Sequence, residues 1–168
     1  MTRRRQQQPS FTLTEVVVAS VIVGVMLVAA LDTLGAARRS ERITSERARG
    51  QLLAQELMSE ILAQAYEDPT AALPGVLGPE AGEGGSGNRA GFDDVDDYYD
   101  WADSPPKYKD GTPLPDAAGW SRVVDVHFVF PYAVDNIALV DLGVKRITVT
   151  VKYNGVAKAS LVALKTKP

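Results

Sequence analysis

The organisation of this chain is decided by Ser10-Phe11-Thr12-Leu13-Thr14-Glu15 and by the apolar run that follows it, Val16–Leu31. The 21 residues from Phe11 to Leu31 carry a single charge, that of Glu15. At about 1.5 Å per residue, a helix of this length spans roughly 31 Å, close to the thickness of one hydrocarbon core. The pattern therefore predicts a transmembrane helix over residues 11–31.

Three arginines, Arg3, Arg4 and Arg5, precede the apolar run. By the positive-inside rule they stay cytoplasmic, so the chain is expected to cross the cytoplasmic membrane once, with its carboxyl terminus outside. Glu15 then needs compensation, because an ionised side chain inside a bilayer costs about 3 kcal/mol or more. From the residues alone, Glu15 could instead be solvated at the level of the lipid headgroups.

A second interpretation is a secretory signal peptide. Arg3–Arg5 would be its charged region, Val16–Leu31 its apolar region, and Gly35-Ala36-Ala37 its small-residue cleavage site. Signal peptidase would then release a soluble domain. The apolar run is long for such a peptide.

The string from Pro9 to Ala19 resembles the class III signal of type IV pilins and type II secretion pseudopilins. In that family a short basic leader ends in a small residue, followed by Phe-Thr-Leu-x-Glu and an apolar run. The resemblance implies a leader peptide at residues 1–10, cleavage by a membrane prepilin peptidase between Ser10 and Phe11, and N-methylation of Phe11. It also implies contact with membrane lipid, with an inner-membrane assembly platform and with other pilin or pseudopilin subunits. Ser10 stands where the family usually has glycine.

The spacing between the predicted cleavage site and Glu15 has a physical explanation. Cleavage after Ser10 creates an amino group on Phe11, which in a staggered helix bundle can meet the Glu15 carboxylate of a neighbouring subunit. A pair at ~4 Å contributes about 4 kcal/mol of gross Coulomb attraction at an effective dielectric of ~20, before desolvation is subtracted. Glu15 is thus predicted to form an ion pair during assembly.

The amino-acid composition argues against several classes of function. The formal net charge is −3, and removal of the three leader arginines leaves −3 − 3 = −6 on the side chains, so nucleic-acid binding is not expected. The chain has no cysteine, which excludes disulfides, thiolate metal sites and thiol catalysis. His127 is the single histidine and falls on the polar face of a predicted strand, so we predict that the protein is not an enzyme.

Residues 32–66 keep helical character beyond the apolar run, with no proline and with glycine only at Gly35 and Gly50. Leu53, Leu57 and Ile61 recur at helical spacing, which predicts a stripe that packs against a partner. We predict one helix, half in the membrane and half outside it. Two helices hinged near Gly35 or Gly50 are the alternative.

The region 67–119 is rich in glycine, proline and aspartate and is predicted to be loop. Its string Phe92-Asp-Asp-Val-Asp-Asp-Tyr98 is similar to a signature in D-type minor pilins of mannose-sensitive haemagglutinin pili. Clustered carboxylates are ligands that calcium prefers, and the candidate ligands are Asp93, Asp94, Asp96 and Asp97. The alternative is a solvated acidic loop whose aspartates cap turns; apart from this possible calcium, no cofactor is expected.

Residues 120–168 alternate between apolar and polar side chains, as in strands that are buried on one face. Asn154-Gly155 predicts a hairpin, and a bulge or three-residue loop is expected to put Ala157, Ala159, Leu161 and Ala163 on the apolar face. The segment Pro131–Leu142 is predicted to be a long connection or to hold a short strand at Ile137–Val140. The predicted class is α+β: a long helix against three or four antiparallel strands.

These predictions together indicate a structural subunit, a minor pilin or pseudopilin. The alternatives are a membrane-anchored extracytoplasmic binding module for calcium or carbohydrate that does not polymerise, and a secreted enzyme.

Overall fold

The computed structural model describes residues 12–68, 76–80, 82–83 and 88–168. The fold is α+β, as predicted, with one long helix followed by an antiparallel sheet. The elements are helix α1 (Leu13–Ala63) and strands β1 (Trp101–Asp103), β2 (Trp120–Phe130), β3 (Ala133–Ile137), β4 (Val144–Tyr153) and β5 (Val156–Thr166). The strand order is β1-β2-β4-β5, and β3 pairs with the end of β2. The chain divides into two compact units, residues 1–44 and 45–168.

In the first unit, the described side chains from Thr12 to Thr44 are all exposed. An 18-residue window of α1 has a mean hydropathy of 2.4, and none of it is buried. The helix is therefore long and apolar enough to cross a membrane, a criterion that a signal sequence also meets.

In the second unit, the predicted stripe of α1 is buried. Leu57 and Ile61 are fully buried and Leu53 nearly so, whereas the neighbouring Leu52 and Leu62 are exposed. The stripe packs against the inward side chains of the sheet, chiefly Val124, Val126, Ile147, Val149 and Val151. This arrangement confirms the predicted contact of the helix with a sheet.

Helix α1 runs through both glycines, so the two-helix alternative is wrong. At Gly50 a Cβ atom would lie 3.0 Å from Cβ of Lys158 and 3.5 Å from the Trp120 ring. The helix backbone approaches β5 closely there, and a larger residue would require Lys158 to shift. Gly50 is a packing position.

The helix ends at Ala63, three residues before the predicted end. The backbone of Ala65 forms hydrogen bonds with a distant segment instead of helical ones. The Ala65 N–H donates to the Asp93 carbonyl (3.0 Å), and the Val95 N–H donates to the Ala65 carbonyl (3.2 Å). These bonds compete with the last helical turn and hold the 93–95 segment against the helix exit.

Strands β2 and β4 follow the predicted alternation. Val124 and Val126 on β2 are buried, as are Ile147, Val149 and Val151 on β4, while the residues between them are partly exposed. Arg122 and Lys145, discussed below, are charged residues at inward positions of the same alternation. The register sets Val124 opposite Val149 and Val126 opposite Ile147. Cross-strand apolar pairs of this kind stabilise the sheet face that α1 covers.

The β4–β5 hairpin has a two-residue loop and a bulge. Tyr153 pairs with Val156 across Asn154 (φ 48°) and Gly155 (φ 79°), the two positive φ values of a type I′ turn. The register then shifts, so that Ala159 lies opposite Val151 and Ala157 opposite Lys152. The predicted apolar-face positions Ala159, Leu161 and Ala163 are confirmed. Ala157 is exposed, because the bulge follows it rather than preceding it.

The sheet has five strands rather than the predicted three or four, because two of them are short. Strand β1 lies inside the region 67–119 that was predicted to be loop, which also contains a 3₁₀ turn at Asp96–Tyr98. Strand β3 lies at Ala133–Ile137, and Leu139 and Val140 of the predicted strand are exposed. Both strands are too short for alternation to mark them, and pairing with β2 decides where they form.

Candidate functional site

Glu15 lies in the first turn of α1. Its Oε2 accepts hydrogen bonds from the Thr12 backbone N–H (3.3 Å) and the Thr12 hydroxyl (3.4 Å), and Thr12 Oγ1 accepts one from the Glu15 N–H (3.3 Å). This reciprocal pattern is a capping box, in which a threonine and a glutamate three residues on satisfy two free N–H groups. The spacing Thr12-x-x-Glu15 could have predicted it, but the sequence analysis did not. Ser10 and Phe11, the predicted processing residues, lie outside the described residues.

An open groove lies on the helix surface next to Glu15. It is lined by Glu15, Val16, Ala19, Ser20, Val23 and Gly24, of which Ala19, Ser20 and Gly24 are small. The Ser20 hydroxyl donates to the Val16 carbonyl (2.8 Å), so its polar group is satisfied within the helix. Small residues of this kind let another helix approach closely in a membrane.

Asp94 and Asp97, two of the predicted calcium ligands, cap the turn that they belong to. Asp94 Oδ1 accepts from the N–H groups of Asp96 (2.6 Å) and Asp97 (3.2 Å). Asp97 Oδ2 accepts from the N–H groups of Asp93 (2.9 Å) and Asp94 (3.2 Å). Asp94 and Asp97 are buried and Asp93 is exposed. These bonds are those of the turn-capping alternative, and the four-aspartate calcium site stays a prediction.

Asp96 is paired with a lysine from the sheet. Its Oδ2 lies 2.7 Å from Lys145 Nζ, and both side chains are almost fully buried. The same ammonium donates to the Tyr66 carbonyl and lies 4.0 Å from the centre of the Tyr66 ring. The Tyr66 hydroxyl donates to Asp141 (2.6 Å). Lys145 thus ties the acidic loop and the helix exit to β4.

A second group of charges is buried between helix, loop and sheet, and we call it the buried ion-pair cluster: Glu60, Arg89, Asp103 and Arg122. Arg89 binds Glu60 through two nitrogens (2.7 and 3.0 Å), and Arg122 binds Asp103 through two nitrogens (2.6 and 3.2 Å). Both arginines are 0% exposed, and Arg89 stacks 4.5 Å above the Trp101 ring. The sequence analysis missed this cluster.

Several carboxyl groups of the acidic loop have raised pKa values. Burial raises the pKa of Asp96 to about 6, although the Lys145 ammonium acts against it. Burial, with the negative charges of Asp94 and Glu83, raises the pKa of Asp97 to about 7 against two N–H groups that favour its ionisation. Contact with Glu83, followed by burial, raises the pKa of Glu80 to about 7. Burial acts on all three groups, and the Glu83 carboxylate adds to the pKa increase of Asp97 and Glu80.

One group of carboxylates has the spacing of metal ligands among the described residues. Oxygens of Asp68, Glu80 and Glu83 all lie within 4.8 Å of one another. The four aspartates predicted from sequence do not make up this group.

Glu60 gives a pH dependence that can be measured. Burial disfavours its ionisation, but the hydrogen bonds and charge of Arg89, with the Tyr98 hydroxyl, outweigh burial and lower the pKa of Glu60. A carboxyl whose pKa is lower in the folded state stabilises the fold above its unfolded pKa, and this stabilisation is lost as pH falls through the folded pKa. We therefore expect Glu60→Gln to lower the melting temperature of the full-length chain in detergent micelles strongly at pH 7 and much less at pH 3.

The matched control for this prediction is Glu56→Gln, one turn earlier on the exposed side of α1. It is expected to leave the melting temperature almost unchanged at both pH values. Equal destabilisation by Glu60→Gln at pH 3 and pH 7 would show that the charge of Glu60 adds nothing to the fold.

Comparison with known proteins identifies a motif in the amino-terminal segment. Residues 5–31 match the family model described as the prokaryotic N-terminal methylation motif. No curated protein and no solved structure matches the chain. The match confirms the predicted prepilin-type signal and, with the exposed apolar helix, supports methylation and a transmembrane segment. The resemblance of Phe92–Tyr98 to D-type minor pilins stays a prediction.

The motif implies processing by a prepilin peptidase and assembly with other pilin subunits, and it suggests a structural subunit rather than an enzyme. His127 lies at a partly exposed position of β2, with its ring 6.3 Å from the Tyr99 ring. Residues 5–31 thus carry a prepilin-type signal, the prokaryotic N-terminal methylation motif.

Proposed function

We propose that this protein is a minor pilin or pseudopilin that is held in the cytoplasmic membrane, processed, and inserted into a type IV pilus or a type II secretion pseudopilus. The observation that carries the proposal is the methylation motif on residues 5–31, which includes the exposed apolar start of helix α1. A helix with this much exposed apolar surface needs a membrane or other helices around it. In the proposed function, the cytoplasmic membrane surrounds this helix before assembly, and the helices of other subunits surround it in the filament.

Glu15 has a part in each of these two states. In the precursor, its carboxylate accepts hydrogen bonds from Thr12 at the start of the helix. After cleavage between Ser10 and Phe11, the new amino group of a neighbouring subunit supplies a positive charge for the same carboxylate. The small residues Ala19, Ser20 and Gly24 line the groove beside Glu15 and leave room for the neighbouring helix.

The second unit supports a specialised subunit. Its acidic loop from Asp93 to Asp97 is folded back on itself by capping bonds and joined to β4 through Lys145. The resemblance of Phe92–Tyr98 to D-type minor pilins points in the same direction. We therefore propose a minor component of the filament, with its carboxyl-terminal unit outside the cytoplasm.

Mass spectrometry of the processed protein tests the first step. When the full-length chain is produced together with a prepilin peptidase, the mature protein is expected to begin at Phe11 and to carry one methyl group on its amino terminus. Without the peptidase, the chain is expected to keep its leader peptide. Ser10→Gly is the matched control and should be processed at least as fast, whereas the bulky Ser10→Tyr should block processing.

Two results would contradict the proposal. A mature protein that begins near Ala37 would indicate signal peptidase and a released domain. Unchanged processing of Ser10→Tyr would show that the peptide bond after Ser10 is not the one cleaved.

A further inference from the structure

One face of α1 carries two opposite charges just beyond the apolar run. The positions on this face recur at alternating intervals of four and three residues, and we call them the charged seam: Val21, Val25, Val28, Asp32, Gly35 and Arg39. All six residues lie in α1 and are exposed. Such a repeat places its members on one side of a helix, and it is the pattern by which parallel helices pack together.

An open groove follows the seam and ends at Asp32. It is lined by Val21, Gly24, Val25, Val28, Ala29 and Asp32. Further along the seam, a Cβ atom built on Gly35 would meet no heavy atom within 4 Å. Small residues let a second helix approach closely, and the valines offer apolar surface for it to cover. The seam therefore has the shape of a surface that packs against another helix.

Asp32 and Arg39 lack a partner of opposite charge on their own helix. Side chains three or four residues apart are neighbours on a helix surface. These positions are Val28, Ala29, Gly35 and Ala36 for Asp32, and Gly35, Ala36, Arg42 and Ile43 for Arg39. Asp32 and Arg39 themselves are seven residues apart, about 10.5 Å along the axis, which is too far for them to pair with each other. Both charges are therefore available to another helix.

The spacing of the two charges selects how a second copy can pack. Two copies in one membrane have the same orientation, a point that rests on the proposed function. Without a shift, they would set Asp32 against Asp32 and Arg39 against Arg39, which is repulsive. A shift of seven residues, about 10.5 Å, is one repeat of the seam, so it keeps the apolar positions in contact and sets Asp32 of one copy level with Arg39 of the other. Charge complementarity favours the shifted arrangement.

We propose that the charged seam binds the charged seam of a second copy of this chain, shifted by seven residues, with an ion pair between Asp32 of one copy and Arg39 of the other. Charges placed in a packing seam fix the register and the choice of partner. The contact leaves one Asp32 and one Arg39 available to further copies, so it can repeat along a filament. It does not involve the amino group of Phe11 and is distinct from the predicted pair of that group with Glu15.

Disulfide cross-linking in membranes tests the shift, because the chain has no cysteine of its own. One full-length copy carries Val28→Cys, and a second copy with a different tag carries Gly35→Cys. These positions are level in the shifted arrangement, so the mixed disulfide is expected to exceed the disulfide between two identical variants by about fivefold or more. Equal yields would overturn the shift, and the absence of every cross-link would overturn the contact.

Charge reversal in the same assay tests the ion pair. Asp32→Arg or Arg39→Asp, introduced into both copies, is expected to lower the mixed disulfide by about fivefold or more, and the two reversals together should restore it. Arg47→Asp reverses an exposed charge of α1 outside the seam and should leave the cross-link unchanged. Immunoblotting of the membrane fraction checks insertion, and Arg39→Asp keeps the test valid if Asp32→Arg fails to insert. A double reversal as low as the single ones would overturn the ion pair.

Failure of this contact can be told apart from failure of the proposed function. The mixed disulfide is expected also in cells without a prepilin peptidase, where the chain keeps its leader peptide. A chain that is cleaved and methylated at Phe11 but gives no mixed disulfide would overturn the contact and leave the proposed function in place. A mixed disulfide in a chain that the peptidase does not cleave would support the contact and contradict the proposed function.

Discussion

Replacement of Glu15 by alanine is expected to lower incorporation of the mature chain into filaments by about tenfold or more, while membrane insertion and N-methylation of Phe11 continue. Under the proposed function, the variant lacks the charge that would meet the amino group of the neighbouring subunit. If only about a third of the ~4 kcal/mol of gross attraction survives desolvation, the remaining ~1.4 kcal/mol still corresponds to a factor of ten. The measurement is the ratio of the chain in sheared filaments to the chain in membranes, determined by immunoblotting in cells that contain the assembly machinery.

The capping box makes a sharper variant available. Glu15→Gln keeps an oxygen that can accept the Thr12 N–H but removes the charge, so it separates the cap from the ion pair. We expect Glu15→Gln to fail in assembly as Glu15→Ala does. Glu41→Ala removes an exposed carboxylate from the same helix and is the control that should assemble normally. Normal assembly of Glu15→Gln would mean that Glu15 acts through the cap alone, and the intersubunit ion pair would be wrong.

The sequence was informative at the amino terminus because the signal there is local. A basic leader, a small residue, Phe-Thr-Leu-x-Glu and an apolar run follow one another within about two dozen residues, and the family match at residues 5–31 covers the same stretch. Membrane length and a single charge are also read directly from consecutive residues. No knowledge of the tertiary structure was needed to recognise them.

The faces of the sheet could be predicted for the same reason. Alternation over ten or eleven residues marks the buried face of β2 and of β4, and Asn154-Gly155 marks the turn. The place of the bulge could not be predicted, since alternation does not mark a single extra residue in a strand. Strand β1 was not predicted and the short strand near β3 was expected at Ile137–Val140, because both strands form where β2 offers free backbone groups.

The buried ion pairs could not be predicted from sequence patterns. Arg122 stands at a regular inward position of β2 and Lys145 at the start of β4, where alternation predicts only that one face is buried. Their partners, Asp103 and Asp96, come from a region that composition marks as loop. Ion pairs between residues so far apart in the chain leave no periodic signal, so they become visible only when the fold brings the partners together.

Replacement of Asp103 by alanine is expected to destabilise the second unit by about 3–5 kcal/mol, the cost of breaking a buried ion pair by removal of one partner. Asp103 accepts two bonds from Arg122, accepts the N–H of Lys107, and lies 3.8 Å from Arg89. The variant would leave the fully buried Arg122 without its carboxylate, with a hydrogen bond to the Lys107 carbonyl and the Trp101 ring 6.0 Å away. Both tryptophans lie in this unit, and Arg89 stacks on one of them, so urea unfolding followed by tryptophan fluorescence reports the loss.

Two further variants decide whether the charge is the cause. Asp135→Ala removes a fully exposed carboxylate that lies 3.9 Å from Arg146, and this surface pair is expected to contribute almost nothing. The double variant Asp103→Leu with Arg122→Met removes both charges and should be more stable than Asp103→Ala, since no buried arginine is then left without its carboxylate. If the double variant were the less stable of the two, the cost would come from lost packing, and burial of the unpaired guanidinium could not be its source.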